Sequence, residues 1–151
     1  MYENISFNPA CPDNIDTLLD LIKEFYLQEQ IEFDGSRSRK ALDKIFSNSL
    51  FGNIWLILIE EKVIGYFALT YAFSLEFGGR NALLDEIYIR EEFRRKGIGT
   101  RALNFIFEQC KLNDIHAVHL QVLNFNDDAK RLYERNGFEL VDRMFMTKVF
   151  D

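Results

Sequence analysis

Residues Arg94 to Thr100 read Arg-Arg-Lys-Gly-Ile-Gly-Thr, a basic run with two glycines. The apolar stretch ending at Ile89 has the pattern of a strand, and a helical pattern starts at once after the glycines. Backbone N–H groups at such a helix start have no intrahelical acceptor and carry the positive end of the helix dipole. Glycine lets the backbone turn sharply and approach a ligand closely. Together these features suit an anion, and a pyrophosphate best. Gly97-Ile98-Gly99 lacks the third glycine of a dinucleotide fingerprint and the Gly-Lys-Ser/Thr of a nucleotide-triphosphate loop, so neither nucleotide reading applies. On its own the loop fits either a phosphate cradle or a plain glycine turn.

The secondary structure around this loop follows from hydrophobic period. Ile5 and Phe7 suggest a first short strand. Pro12-Asp13-Asn14 opens a helix whose apolar face is Ile15, Leu18, Leu19, Ile22, Phe25 and Tyr26. Gly35-Ser36 is expected to break the chain. Ala41, Leu42, Ile45 and Phe46 then share a face of a second, shorter helix. Ile54–Ile59 and Val63–Phe73 flank Glu60-Glu61-Lys62 as a hairpin. Gly78-Gly79 reverses the chain into a strand over Ala82–Ile89. A helix with Leu103, Ile106 and Phe107 follows the loop. Val118, Leu120 and Val122 alternate as a strand. A helix from about Asp127 to Asn136 ends at Gly137, and residues 138–150 are strand-like. The order predicts a mixed α/β fold, with about four helices packed on a central, mostly antiparallel sheet.

Composition narrows the function. The 151 residues suit one domain, 1–151, and 48% apolar and 15% aromatic content favours a folded core. A net charge of −6 argues against a nucleic-acid partner, which would need a basic face. Cys11 and Cys110 form no CxxC, and His116 and His119 point to opposite faces of a strand, so no metal site is expected. Met1 to Ala10 lacks the basic start and apolar run of a signal peptide, and no stretch approaches a membrane span. A cytoplasmic protein without membrane contact is the expectation.

A second group of residues lies downstream: Val122, Asn126, Ala129, Leu132-Tyr133 and Gly137-Phe138. With Arg94-x-x-Gly97-x-Gly99 after a strand, these resemble the two signature blocks of the GNAT superfamily of N-acetyltransferases. The blocks cover about residues 84 to 138, and the upstream element order agrees. The resemblance implies acetyl-CoA as co-substrate and a partly splayed sheet with the pantetheine arm in the gap. It places Ile87, Tyr88 and Ile89 beside that arm. It places Arg94, Arg95, Lys96, Gly97, Ile98, Gly99 and Thr100 around the pyrophosphate. Asn126 would face the coenzyme, although Asn-Asp-Asp also suits a plain helix cap.

The same resemblance gives Tyr133 the role of general acid toward the departing thiolate, beside its ordinary reading as a core tyrosine on an amphipathic helix. A tyrosine with its usual pKa of about 10 keeps its proton at neutral pH until it is needed. The acceptor amine must be neutral to attack. A carboxylate can take its proton, and such help is worth about 10²–10⁴-fold. Asp85 and Glu86 stand at the position where related polyamine and aminoglycoside acetyltransferases carry an acid, Asp85 matching better by its spacing to Arg94. In a regular strand the two point to opposite faces, so only one lines the site; a bulge relaxes that rule. Glu76 is a further acid for a cationic substrate.

The family commonly ends in two strands that wall the acceptor side. Glu139 to Phe150 offers two short strands with a turn near Asp142-Arg143, or one long strand. The wall is therefore expected to be short, leaving the pocket open or completed by a second copy in a homodimer. Phe77 to Asn81, the first two helices and Tyr71 are expected to shape the acceptor site. The acids favour a small-molecule amine or polyamine acceptor. The competing reading is an acyl-CoA-binding regulatory module or accessory subunit without turnover, which would need neither Tyr133 nor the Asp85-Glu86 pair.

Overall fold

A computed structural model describes residues 3–150. The elements are β1 (Ile5–Pro9), a 3₁₀ turn (Pro12–Asn14), α1 (Ile15–Glu29), α2 (Gly35–Ser47), β2 (Gly52–Ile59), β3 (Lys62–Ser74), β4 (Gly79–Ile89), a 3₁₀ turn (Glu91–Phe93), α3 (Ile98–Leu112), β5 (Ile115–Leu120) and α4 (Asp127–Arg135). Two compact units divide after Gln121.

In the first unit, five strands lie in the order β1-β2-β3-β4-β5. The first four are antiparallel, and β5 runs parallel to β4. The β2–β3 hairpin closes at Ile59↔Lys62, so Glu60 and Glu61 make the turn, with Glu60 at φ 55°. The β4–β5 ladder runs from Arg80↔Ile115 to Leu84↔Leu120 and stops there. Beyond Leu84 the outer edge of β4 carries no ladder to β5.

Each sheet face has its own core. Ile54, Leu56, Tyr66, Ala68 and Tyr88 pack with Ile15, Leu18, Leu21 and Ile22 of α1 and Leu42 of α2. On the opposite face Phe7, Trp55 and Phe67 meet Phe105 of α3, with ring centroids 5.0 to 6.0 Å apart. Ile98, Ala102, Leu103 and Ile106 of α3 are fully buried. Side chains alternate along a strand and repeat every three to four residues on a helix, which is why these sets separate so cleanly.

Gly35 and Ser36, expected to break the chain, instead open α2. The Asp34 carboxylate accepts from the Arg37 backbone N–H at 3.0 Å and caps the helix.

The second unit holds α4, capped by Asn126 and ended by Gly137 at φ 88°. The strand expected over residues 138–150 is not formed: no ladder involves these residues. The Arg143 N–H bonds back to the Val141 carbonyl at 2.9 Å, a local turn where Asp142-Arg143 suggested one. Period-two patterning makes a strand only where a neighbouring strand accepts its backbone groups, and none pairs with this segment among the described residues. Leu140, Met144, Phe145 and Met146 are correspondingly exposed.

Candidate active site

The centre of the first unit's site is a β-bulge. Ala68 pairs with Glu86 while the next residue, Leu69, pairs with Leu84, so Asp85 is the extra residue. The bulge changes the parity of β4. Leu84 lies opposite Leu69 on the α3 face, whereas Glu86 and Tyr88 lie opposite Ala68 and Tyr66 on the α1–α2 face. Two residues that an unbroken strand would put on one face are thus split, and Asp85 sits at the switch.

Glu86 is held at both oxygens. The Tyr26 hydroxyl of α1 donates to Oε2 at 2.6 Å, and the Tyr66 hydroxyl of β3 donates to Oε1 at 2.8 Å. Burial pushes the Glu86 carboxyl up, the two hydroxyls pull it down, and the charge of Asp85 pushes it up again; the result is a raised pKa. Both tyrosines are pushed up from the ordinary phenol range, by burial first and then by Glu86. Asp85 reaches solvent, yet loss of hydration among the surrounding protein raises its pKa too.

Two residues before Tyr26 on α1, Glu24 forms a fork with Arg90, at 3.1 Å to Nε and 2.9 Å to Nη2. The Tyr88 hydroxyl also donates to Glu24, at 3.2 Å. The Arg90 hydrogen bond is the main reason that Glu24 titrates below the usual carboxylate range. Arg94 behaves differently from a free phosphate ligand. Its Nε donates to the Ile89 carbonyl at 2.7 Å, its Nη2 donates to Gln28, and its guanidinium stacks over the Tyr88 ring at 5.5 Å. The Arg94 side chain therefore braces the loop against α1 and β4.

The loop's anion-binding capacity lies in its backbone. Gly97 caps α3 at φ 78°, a conformation that glycine adopts without strain, and a Cβ there would point into open space. The Arg101 N–H returns to the Gly97 carbonyl at 3.2 Å. The N–H groups of Ile98, Gly99 and Thr100 belong to the first helical turn, which has no intrahelical acceptors for them. Arg95 also has a left-handed φ, 59°, and Lys96 Nζ bonds the Glu92 carbonyl at 2.8 Å. These features fit a pyrophosphate. The unladdered edge of β4 from Asp85 to Ile89 fits an amide-bearing arm, with Ile87 and Ile89 half-buried and Tyr88 buried.

In the second unit, Asn126 Oδ1 accepts from the Ala129 N–H at 3.1 Å, so its helix-cap role is realised. Tyr133 is buried, and its ring meets Phe138 edge-on at 5.6 Å. The Phe138 N–H bonds the Tyr133 carbonyl at 3.0 Å, and Gly137 closes the turn between them.

Residues 16–138 match the sequence model of the acetyltransferase (GNAT) family. The chain belongs to the GNAT family. Among its relatives, thialysine N-epsilon-acetyltransferase of Caenorhabditis elegans is 25% identical over 97% of this chain and 87% of that protein. The bovine thialysine N-epsilon-acetyltransferase is 32% identical over 50% of this chain, a stretch that spans only 44% of the bovine protein. The crystal structure of a possible acetyltransferase from Clostridium difficile 630 superposes with a TM-score of 0.84 at 26% identity, covering 99% of this chain and 100% of that one.

Several residues that bond the side chains around Glu86, Arg90 and Arg94 were not singled out from sequence: Glu24, Tyr66 and Gln28, with Tyr26 expected only as part of an apolar face. Tyr66 did carry a signal. A buried tyrosine hydroxyl needs a hydrogen-bond partner, which sequence cannot name. Tyr71, expected near the acceptor side, bonds Asn53 Oδ1 at 2.8 Å and lies under the Arg80 guanidinium at 4.8 Å. The Phe77 turn is tied to β5 through its carbonyl, 3.1 Å from His116 Nδ1.

Proposed function

We propose that this chain transfers the acetyl group of acetyl-CoA to a primary amine on a small molecule or polyamine. The family match crosses both compact units, which supports reading residues 1–151 as one N-acetyltransferase domain. The observation that carries the proposal is the conjunction on β4 and α3: a bulged acid pair, an open strand edge and a glycine-capped helix start follow one another along the chain.

Acetyl-CoA supplies the acetyl group as a thioester. Backbone N–H groups of Gly97 to Thr100 hold the pyrophosphate, with Arg95 and Lys96 adding charge. Ile87, Tyr88 and Ile89 offer backbone partners to the pantetheine arm, and Asn126 adds a contact from the head of α4. The Asp85-Glu86 pair takes the proton from the acceptor ammonium. The freed amine forms the new C–N bond as the C–S bond breaks. Tyr133 gives its hydroxyl proton to the departing sulfur, and the extra proton on the new amide nitrogen is released and restores the tyrosine hydroxyl.

An amine acceptor is supported by the acids at the bulge and by relatives named as thialysine N-epsilon-acetyltransferases. A homodimer belongs to the same reading and is supported by the exposed apolar residues Leu140, Met144 and Phe145, and a cytoplasmic setting remains part of the proposal. Sedimentation of a fully active monomer would remove the dimer. The activity is tested by release of coenzyme A thiol from acetyl-CoA across a panel of amines, with Tyr133→Phe alongside.

A further inference from the structure

Two adjacent carboxylates on β4 have unlike surroundings. Glu86 receives a hydroxyl at each oxygen, one from α1 and one from β3. The 2.6 Å contact from Tyr26 has the short distance of a hydroxyl bonded to a carboxylate anion, and the 2.8 Å contact from Tyr66 has the ordinary hydroxyl distance. Asp85, by contrast, reaches solvent at the bulge.

We infer that Tyr26 and Tyr66 are positioning residues: by fixing Glu86 as an anion beside the bulged Asp85, they leave Asp85 as the carboxylate that exchanges a proton with the acceptor. The inference rests on the acetyl-transfer reading above and deepens it, because that reading assigns the base only to the pair.

Loss of hydration already raises Asp85; like charges next to each other also resist joint ionisation, so an ionised Glu86 adds to the proton affinity of its neighbour. A base is most effective when its pKa lies close to the working pH. The groups facing Glu86 are Tyr26 from α1, Tyr66 from β3 and Asp85 on its own strand. The next charges along α1 and β4, Glu24 and Arg90, are satisfied by each other, with Tyr88 as a third partner. Locking Glu86 also ties α1 to the sheet, so the bulge is held from both sides.

The test compares the native protein with Tyr66→Phe and Tyr26→Phe. Tyr66 is buried and its variant could fold poorly; half-buried Tyr26 provides the second, milder arm. Two readouts are taken: the pH dependence of kcat/KM for the amine, and the carboxyl ¹³C NMR titration of Asp85 and Glu86 without any substrate. Loss of a hydroxyl donor lets Glu86 protonate at higher pH, and Asp85 then titrates beside a neutral neighbour. The expected result is an Asp85 midpoint shifted down, a Glu86 midpoint shifted up, an acid limb of kcat/KM moved to lower pH, and a rate loss of roughly tenfold. An acid limb that moves up together with Glu86 would make Glu86 the base and overturn the inference. Lower rates with both midpoints unmoved would also overturn it, reducing the tyrosines to packing. A native protein silent on every amine defeats the acetyl-transfer reading instead, while the NMR titration still decides the clamp.

Discussion

Tyr66 and Glu86 meet diagonally across the β3–β4 ladder, 2.8 Å apart, although the ladder partner of Tyr66 is Tyr88 and that of Glu86 is Ala68. The contact exists because the bulge at Asp85 turns Glu86 onto the face that Tyr66 occupies. One inserted residue thus sets both the clamp on Glu86 and the exposure of its neighbour.

Asp85→Asn should lower kcat/KM for the amine by about 10²–10⁴-fold, the usual worth of a general base. Coenzyme A binding should stay near native, because the role proposed for the side chain concerns the acceptor. Steady-state kinetics with parallel calorimetry checks both halves. Equal loss of coenzyme A affinity would show a structural role instead.

The same substitution should stabilise the protein at neutral pH. Asp85 is raised in the folded state by lost hydration, so the folded chain binds more protons than the unfolded one. Stability from this group is full below the unfolded pKa, about 3.9, and is lost as pH rises through the raised folded value. Asp85→Asn removes that loss. Its Tm should exceed native at pH 7, and the difference should vanish toward pH 4. Glu24 has the opposite sign. It is lowered by Arg90, so its contribution is present above the unfolded value and disappears as pH falls through the folded one. Thermal melts of Glu24→Gln should therefore approach native only in acid.

Gly97→Ala separates strain from ligand contact. The added Cβ meets nothing within the protein, so its cost is the left-handed backbone, about 1–2 kcal/mol. In the proposed cradle it would, however, stand where the pyrophosphate approaches. Coenzyme A affinity should fall at least tenfold in calorimetry while the fold persists. Unchanged affinity would move the cradle elsewhere.

Gly65→Ala tests the close approach of β3 and β4. Its Cβ would fall 2.1 Å from the Tyr88 carbonyl oxygen, which belongs to backbone and cannot rotate away. Overpacking of this kind costs about 3 kcal/mol. Denaturant unfolding should show a lowered midpoint, and activity should fall with it because Tyr88 and Ile89 shift.

The elements around the loop were legible because hydrophobic period and glycine placement are local. The Ile15–Tyr26 stripe, the Glu60-Glu61 hairpin and the Gly97 helix start could all be read from neighbouring residues. The Glu86 clamp was not legible. Its partners Tyr26 and Tyr66 lie 60 and 20 residues away, and a register shift decides whether they meet. The bracing of Arg94 by Gln28 was hidden for the same reason: a basic residue beside glycines suggests a phosphate, and only the tertiary fold shows it bonded to Ile89 and Gln28. Residues 138–150 misled in the opposite direction, since alternation signals a strand but not its partner. Gly35 misled locally, because the cap at Asp34 outweighs glycine's low helix propensity.

The most direct test measures free thiol released from acetyl-CoA in the presence of polyamines, amino acids, aminoglycosides and peptides, with native protein and Tyr133→Phe side by side. Amine-dependent release with at least one small amine or polyamine is expected, with a fall in kcat of about 10²-fold or more in the variant and the KM for acetyl-CoA little changed. Tight coenzyme A binding without release on any amine would contradict acetyl transfer and favour a binding module. Full activity in Tyr133→Phe would contradict the role given to that hydroxyl.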